Sequence, residues 1–116
     1  CMNEYSILTY GFKQNHIKEV VEAGKVTKDF HCIPEPKDLY DYVRIEDIDK
    51  VRDAADLKRI KLISADGQAD LMRPVLNAMD EETFKLFVEY HLATCERQEL
   101  VGAGAHTVDI LEKKNL

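Results

Sequence analysis

The sequence predicts a helix-rich α/β chain, because two strand-like segments are separated by stretches with helical spacing. The clearer strand is Arg59–Ala65, which ends at the turn signal Asp66–Gly67. The second strand is predicted over Thr107–Leu111. Two strands do not make a sheet that is stable alone, so we expect another copy or a missing part of the chain beside them.

Composition limits the classes of function. The chain has 116 residues, with 16 Lys and Arg against 22 Asp and Glu, which leaves a formal net charge of −6. It is long enough for one small domain, and its 45% hydrophobic content is typical of a globular protein. An acidic chain is a poor nucleic-acid binder, and no apolar run approaches the ~20 residues of a membrane helix. We therefore expect neither nucleic acid nor a membrane as a partner.

Cysteine and histidine spacing argues against disulfides and metals. The three cysteines lie far apart without a CxxC pair, and the four histidines form no HxxxH pair. With no signal peptide, this pattern predicts a reduced cytoplasmic protein without a metal site. Cys1 is not a translation start, so either Met2 is the initiator or the chain is the tail of something longer.

The first forty residues predict short elements. Residues 1–12 fit a strand end that runs into a short helix, which Gly11 punctuates. Asn15 is a suitable N-cap for a helix over 16–23. Residues 25–38 contain two prolines and are predicted as a loop with a brief extended piece.

Three helices are predicted in the rest of the chain. The first covers about 46–55, where acidic residues in the first turn favour the positive end of the helix dipole. The second covers about 71–79, with a proline in its first turn. Asp80 caps the longest helix, 81–96. One face of that helix is apolar and is predicted to be buried: Phe84, Phe87, Val88, His91, Leu92 and Cys95.

No motif for nucleophilic, phosphate-binding or zinc chemistry is present. The segment Gly102–Gly104 lies between a helix and a strand, the wrong order for a nucleotide-binding turn, and is predicted as a hairpin or bulge. His91 and Cys95 are four residues apart on one helix face. They are either a nucleophile with its base or a core histidine above a buried thiol. Glu96 and Arg97 either bind a charged substrate group or are solvated.

A second polar and aromatic cluster lies near the N-terminus and contains Asn3, Glu4, Tyr5, Tyr10 and His16. If residues 1–3 end a strand, this cluster lies at the carboxyl edge of a sheet, where open α/β sheets bind ligands. The alternative is a core-facing aromatic segment. Arg73 is predicted as a surface or interface charge.

The segment YHLATCERQELVGAGAHTVDILEKK (90–114) resembles the C-terminal end of bacterial class I S-adenosylmethionine-dependent methyltransferases. In that family a long helix with a His…CER-type end leads into a Gly/Ala/Ser-His turn and the last strand. The opening CMNEYSILTYGF resembles the segment that follows their fifth strand, and Arg44–Gly67 resembles their helix-then-sixth-strand unit. Asp56 occupies the place of the usual cap glycine, and aspartate tolerates the left-handed region better than most residues.

The resemblance implies the C-terminal portion of a Rossmann-like methyltransferase fold. Its last two strands, about 59–65 and 105–111, would be antiparallel, with the helical pair 71–96 inserted between them as a lid. The donor-binding half would precede Cys1, so 1–116 would form a single acceptor-side fragment. S-adenosylmethionine is the cofactor of such a full-length enzyme. This chain alone is expected to bind none of it and to be inactive.

The resemblance also implies a small-molecule methyl acceptor, with a pocket walled by residues 3–30 and 68–100. We expect the contacts of the acceptor to come from Tyr5, Tyr10, His16, His91 and Arg97. The alternative is a non-catalytic binding module related to methyltransferases, which would self-associate as a homodimer through the exposed strand edge at 59–65.

Overall fold

A computed structural model describes residues 1–114 as a small mixed α/β structure with helices and two small sheets. The strands are β1 (Met2–Asn3), β2 (Tyr42–Val43), β3 (Leu57–Ser64) and β4 (Thr107–Lys113). The helices are α1 (Glu4–Lys13), α2 (Ile17–Glu22), α3 (Ile45–Ala54), α4 (Arg73–Asn77), α5 (Glu81–Thr94) and α6 (Gln98–Val101). A 3-10 turn at Asp70–Met72 precedes α4. None of these helices is long and apolar enough to cross a membrane.

The two long strands pair as the sequence analysis expected. β3 and β4 are antiparallel, with Leu57 opposite Lys113 and Ser64 opposite Thr107. The predicted bounds are off by two residues, since β3 begins at 57 and β4 at 107. Because the strands are antiparallel, the residues that follow β3 and those that precede β4 meet at one edge of the sheet.

β1 lies between β2 and the start of β4. Met2 is opposite Tyr42 in a parallel pair. On its other side it is opposite His106, where two backbone hydrogen bonds of 2.9 Å join residues 1–3 to 105–107 in antiparallel fashion. A strand has only two edges, so these residues run through the interior of a sheet.

The expected transition from strand to helix is confirmed at the N-terminus. α1 begins at Glu4, directly after β1, and continues past Gly11 to Lys13. At the end of α3, Asp56 has a φ of 52°, the left-handed conformation that a cap glycine would take.

Asn15 ends one helix instead of starting the next, which corrects the predicted N-cap. It has a φ of 60°, and its backbone N–H donates to Phe12 O over 3.1 Å. The N–H of His16 donates to Gly11 O over 2.7 Å. These two bonds form a Schellman motif that closes α1, and α2 therefore starts only at Ile17.

Two further helix predictions need correction. The helix predicted over 71–79 is divided into the 3-10 turn and α4, because Pro74 stands in the first turn of α4 and has no N–H to continue an earlier helix. α6 was not predicted, since four residues are too few to show a helical period.

The interior at the junction of β1 and β4 is polar. Asn3 and Thr107 are 2% and 0% exposed. Asn3 Nδ2 donates to Gly104 O over 2.9 Å and to Thr107 Oγ1 over 2.8 Å, and that hydroxyl donates to Val101 O over 2.6 Å. Within residues 1–114 no buried side-chain nitrogen or oxygen lacks a partner. The network ties β1 to the loop after α6.

A large part of the apolar surface is not covered. The accessible surface is 8488 Å², against about 6,450 Å² for a compact monomer of this mass. The radius of gyration is 16.3 Å, against about 13.4 Å expected for a compact domain of this length. The apolar face of α5, predicted to be buried, is largely exposed, with Phe84 at 47% and Leu92 at 69%. The apolar face of α5 is therefore mostly uncovered within residues 1–114.

Candidate functional site

A cavity of about 500 Å³ opens at the carboxyl end of β1, between α1 and the segment that starts α4. Its apolar walls come from Met2, Ile7, Leu71, Pro74 and Ala105. Its polar lining includes Ser6, Tyr10, Lys13, Gln14, Asp70, Arg73 and His106. Ligands of open α/β sheets bind at this edge, and a volume of this size suits a small molecule.

Asp66 and His106 form a hydrogen-bonded pair at this cavity. His106 Nδ1 lies 2.8 Å from Asp66 Oδ2, and the backbone N–H of His106 donates to Asp66 Oδ1 over 3.1 Å. Both oxygens of one carboxylate thus hold one histidine, which fixes the orientation of its ring. His106 lines the cavity, whereas Asp66 stands behind it.

Sequence reasoning missed the Asp66–His106 pair as a functional group. Asp66 was interpreted only as a turn residue, and His106 only as one of four scattered histidines. The signal lay in the antiparallel pairing of β3 and β4, which places the residue after one strand beside the residue before the other.

A backbone contact holds the turn that carries Asp66. Gly67 has a φ of 54°, and its N–H donates to Ser64 Oγ over 2.9 Å. A Cβ on Gly104 would lie well under 3.0 Å from the carbonyl oxygen of Gly67. Only a glycine lets the two chain segments approach this closely. The Gly102–Gly104 segment is therefore neither a hairpin nor a bulge, because Gly102 caps α6 and Gly104 packs against the Gly67 turn.

The five residues expected to contact the acceptor do not converge on one site. Tyr10 lines the cavity. Tyr5 lies on α1 with its ring 5.6 Å from the Arg44 guanidinium carbon. His16 is the N-cap residue of α2 and its side chain is 60% exposed.

The other two predicted contacts, His91 and Arg97, are not part of the cavity lining. The His91 ring packs against Gly67, with Nδ1 3.0 Å from the position of a Cβ there. Arg97 is the N-cap residue of α6 and pairs with Glu99 at 2.5 Å. Arg73, expected as a surface charge, is 72% exposed, pairs with Asp70 and lines the cavity.

The His91 and Cys95 side chains are not hydrogen-bonded to each other. The Cys95 thiol lies 3.7 Å from Leu92 O, while the His91 ring faces Gly67. A nucleophile requires its base within hydrogen-bond reach, so this geometry does not assemble a nucleophile with its base. Within the described chain, no group of three His, Cys, Asp or Glu side chains is placed to hold a metal ion.

A second polar cluster, the Glu4 cluster, consists of Glu4, His31, Arg44 and Asp47. The Glu4 side chain is fully buried. Its carboxylate accepts from Arg44 Nε and from the backbone N–H of Cys32 (2.8 Å), and lies 2.5 Å from His31 Nδ1. The other ring nitrogen of His31 lies 3.1 Å from Asp47 Oδ2. The cluster thus joins the start of α1, the loop before β2 and the start of α3.

The Glu4 cluster predicts a pH dependence of stability. The hydrogen bond with Glu4 is the main cause that raises the pKa of His31, and Asp47 adds to it against partial burial. A histidine whose pKa is raised by folding stabilises fully below its unfolded-state pKa of ~6.5, and this stabilisation is lost as pH rises through the folded-state pKa. We expect the free energy of unfolding, measured by urea denaturation, to decrease over that pH range.

His31→Gln is expected to remove this pH dependence, since glutamine does not titrate. His16→Gln is the matched control, because His16 is exposed and 3.9 Å from its nearest carboxylate. An equal pH slope for wild type and His31→Gln would contradict the assignment.

A larger cavity, of about 680 Å³, lies between α3 and one face of the sheet. Most of its walls are aliphatic, including Val43, Ile48, Val51, Val108 and Leu111. Two of its polar groups, His31 and Asp47, already bind each other. Burial raises the pKa of the neighbouring Cys32 thiol to about 11, and the Glu4 charge adds to this, so it stays a neutral thiol. This cavity offers mainly apolar surface, and the free thiol of the exposed Cys1 lies in its lining.

Comparison of the chain with protein-family profiles, curated proteins and solved structures found no match. The class of protein is therefore defined by geometry. It is a mixed α/β chain with a ligand-sized cavity at the carboxyl end of a strand and with extensive uncovered apolar surface.

Proposed function

We propose that this chain is the C-terminal, acceptor-side part of a class I S-adenosylmethionine-dependent methyltransferase of the cytoplasm. The observation that carries the proposal is the cavity at the carboxyl end of β1. β1 and α1 form the segment that resembles the one following the fifth strand of these enzymes. Such a cavity lies where open α/β sheets bind their ligands. The antiparallel pair of β3 and β4, with α4 and α5 between them in the chain, supports the same alignment.

The uncovered apolar surface supports a missing partner half. The total accessible surface of the chain exceeds that of a compact monomer by about 2,000 Å². This is comparable to the area that one side of a large permanent interface buries. We infer that a Rossmann-like donor-binding half covers this surface.

The residues of this chain do not fit the donor itself. Within residues 1–114, the turn from β1 into α1 contains no glycine and passes directly from Asn3 to Glu4. The Glu4 carboxylate, an acid placed at the end of a strand, is fully buried and bound by Arg44 and His31. It is therefore not available to hold a ribose.

The work assigned to this chain is to bind and orient the acceptor and to exclude water from it. The donor carries the chemical activation of the methyl group in such enzymes. Positioning by the protein then accounts for much of the acceleration. The apolar walls of the cavity provide the enclosure, while Tyr10 and His106 provide polar contacts.

Donor binding tests the proposed function. Titration calorimetry with S-adenosylmethionine is expected to give no saturable heat with the 116-residue chain. The polypeptide expressed from the natural gene is expected to be heavier than 13.3 kDa and to bind the donor. Saturable binding of the donor by the 116-residue chain would overturn the proposal. So would a natural gene product that has the mass of this chain alone.

The uncovered surface also favours a second candidate, a non-catalytic binding module that self-associates as a homodimer. Sedimentation equilibrium separates the two. A natural gene product that forms a tight dimer and does not bind the donor would favour the binding module. A natural gene product that binds the donor would exclude it.

A further inference from the structure

We propose that the cavity at the end of β1 binds a weakly acidic hydroxyl group carried on an aromatic ring, with His106 Nε2 as its hydrogen-bond acceptor. The inference deepens the proposed function, on which it rests, by naming the chemical class of the acceptor. It depends on the Asp66–His106 pair and on the walls of the cavity.

The pair determines which ring nitrogen is free. Asp66 Oδ1 accepts the backbone N–H of His106, and Oδ2 faces Nδ1 of the ring at 2.8 Å. A carboxylate accepts only, so the neutral ring carries its proton on Nδ1 and has a lone pair on Nε2. Among residues 1–114, nothing donates a hydrogen bond to Nε2, and the ring lines the cavity. The His106 side chain is 49% exposed, so a ligand in the cavity can reach this free acceptor.

The lone pair on Nε2 restricts which chemical groups of a ligand can bind to it. A carboxylate has no proton to donate to Nε2, and a protonated amine prefers a carboxylate, but the one in the cavity lining, Asp70, is already paired with Arg73. An aromatic hydroxyl keeps its proton more readily than a carboxylic acid and donates it more strongly than an aliphatic alcohol, so it suits the Nε2 acceptor.

The side chains that line the cavity indicate the chemical character of the rest of the ligand. The floor and sides of the cavity come from Met2, Ile7, Leu71 and Pro74. These side chains favour an apolar or aromatic surface. Tyr10 and Lys13 line the cavity as well, and their polar ends suit a second polar substituent on the ring.

The first measurement uses 4-nitrophenol as the probe and nitrobenzene as the matched compound without a hydroxyl. Binding to the chain is followed by nuclear magnetic resonance, with the His106 ring signals as the reporter. The phenol is expected to shift these signals saturably, with an affinity at least about tenfold higher than that of nitrobenzene. Equal affinity for the two compounds, or no saturable shift with either, would overturn the inference.

Variants test the assignment to His106. His106→Gln is expected to weaken phenol binding about tenfold while leaving nitrobenzene binding unchanged. Asp66→Asn is expected to weaken phenol binding too, because an amide no longer selects the tautomer with Nε2 free. His16→Gln is the control, since this exposed histidine is the N-cap residue of α2 and is not part of the cavity lining. Circular dichroism verifies that each variant is folded.

Phenol affinity that stays unchanged in folded His106→Gln would overturn this inference and leave donor binding untouched. Absence of donor binding by the natural gene product would instead overturn the proposed function, without any change in the phenol titration. The two failures are therefore distinguishable.

Discussion

Glu4→Gln is expected to lower the free energy of unfolding by about 3 kcal/mol. One carboxylate oxygen accepts from Arg44 Nε and the other from the Cys32 backbone N–H. Glutamine presents one oxygen and one NH₂ group, so whichever way the amide turns, its NH₂ faces an N–H donor. The substitution also leaves Arg44 and His31 without their buried counter-charge, and their side chains are only 14% and 30% exposed.

Urea denaturation followed by circular dichroism measures this change. Glu19→Gln is the matched control, because Glu19 is 80% exposed and its closest partner, His16, is 3.9 Å away. The control is expected to change stability by no more than about 0.5 kcal/mol. A loss for Glu4→Gln as small as that of the control would show that the Glu4 cluster does not hold the three segments together.

Gly104→Ala is expected to cost about 2–3 kcal/mol and to separate Asp66 from His106. The added Cβ would collide with the Gly67 carbonyl oxygen and would lie 3.2 Å from Ser64 Oγ. The Gly67 carbonyl oxygen is a backbone atom, so the collision is relieved only if the whole turn moves. Because Asp66 belongs to that turn, its bonds to His106 should be lost with it.

Thermal unfolding and the His106 ring signals report the two parts of this prediction. A loss of this size lowers the melting temperature of a domain of this length by roughly 10–20 °C. Gly11→Ala is the control, since a Cβ there meets only atoms of Ile17, the closest at an ordinary 3.7 Å. It should be neutral or stabilising by up to about 1 kcal/mol. Unchanged ring signals in Gly104→Ala would contradict the positioning role of this glycine.

Elements defined by nearby residues were predictable. Asp80 caps α5 as expected, and its Oδ1 accepts the N–H of Thr83 over 2.7 Å. The strands β3 and β4 lie within two residues of the predicted ranges. Asn15 shows the limit, because the same residue type suits the start of one helix and the left-handed end of another. Asn15 ends α1 because its own N–H and that of His16 donate hydrogen bonds to carbonyl groups in the last turn of that helix.

The candidate site was predictable only in part. The sequence placed a site at the carboxyl edge after residues 1–3, and Tyr10 lies in a cavity there. His16 and Arg97 were predicted as acceptor contacts from their residue types alone. In the fold both are exposed, and each lies beside a carboxylate of the helix that it caps. Asp66 and His106 are forty residues apart in the chain, and only the pairing of two strands makes them neighbours.

By itself, the sequence determined the Asp80 cap of α5 and the two long strands, because each depends on residues a few positions apart. The tertiary structure alone decided which polar groups are buried together and which apolar faces remain uncovered. Glu4 became the centre of a buried cluster because distant loops deliver His31 and Arg44 to it. The apolar face of α5 has the same pattern as a core helix, yet it stays exposed, since burial requires a partner surface that no periodicity within one helix supplies.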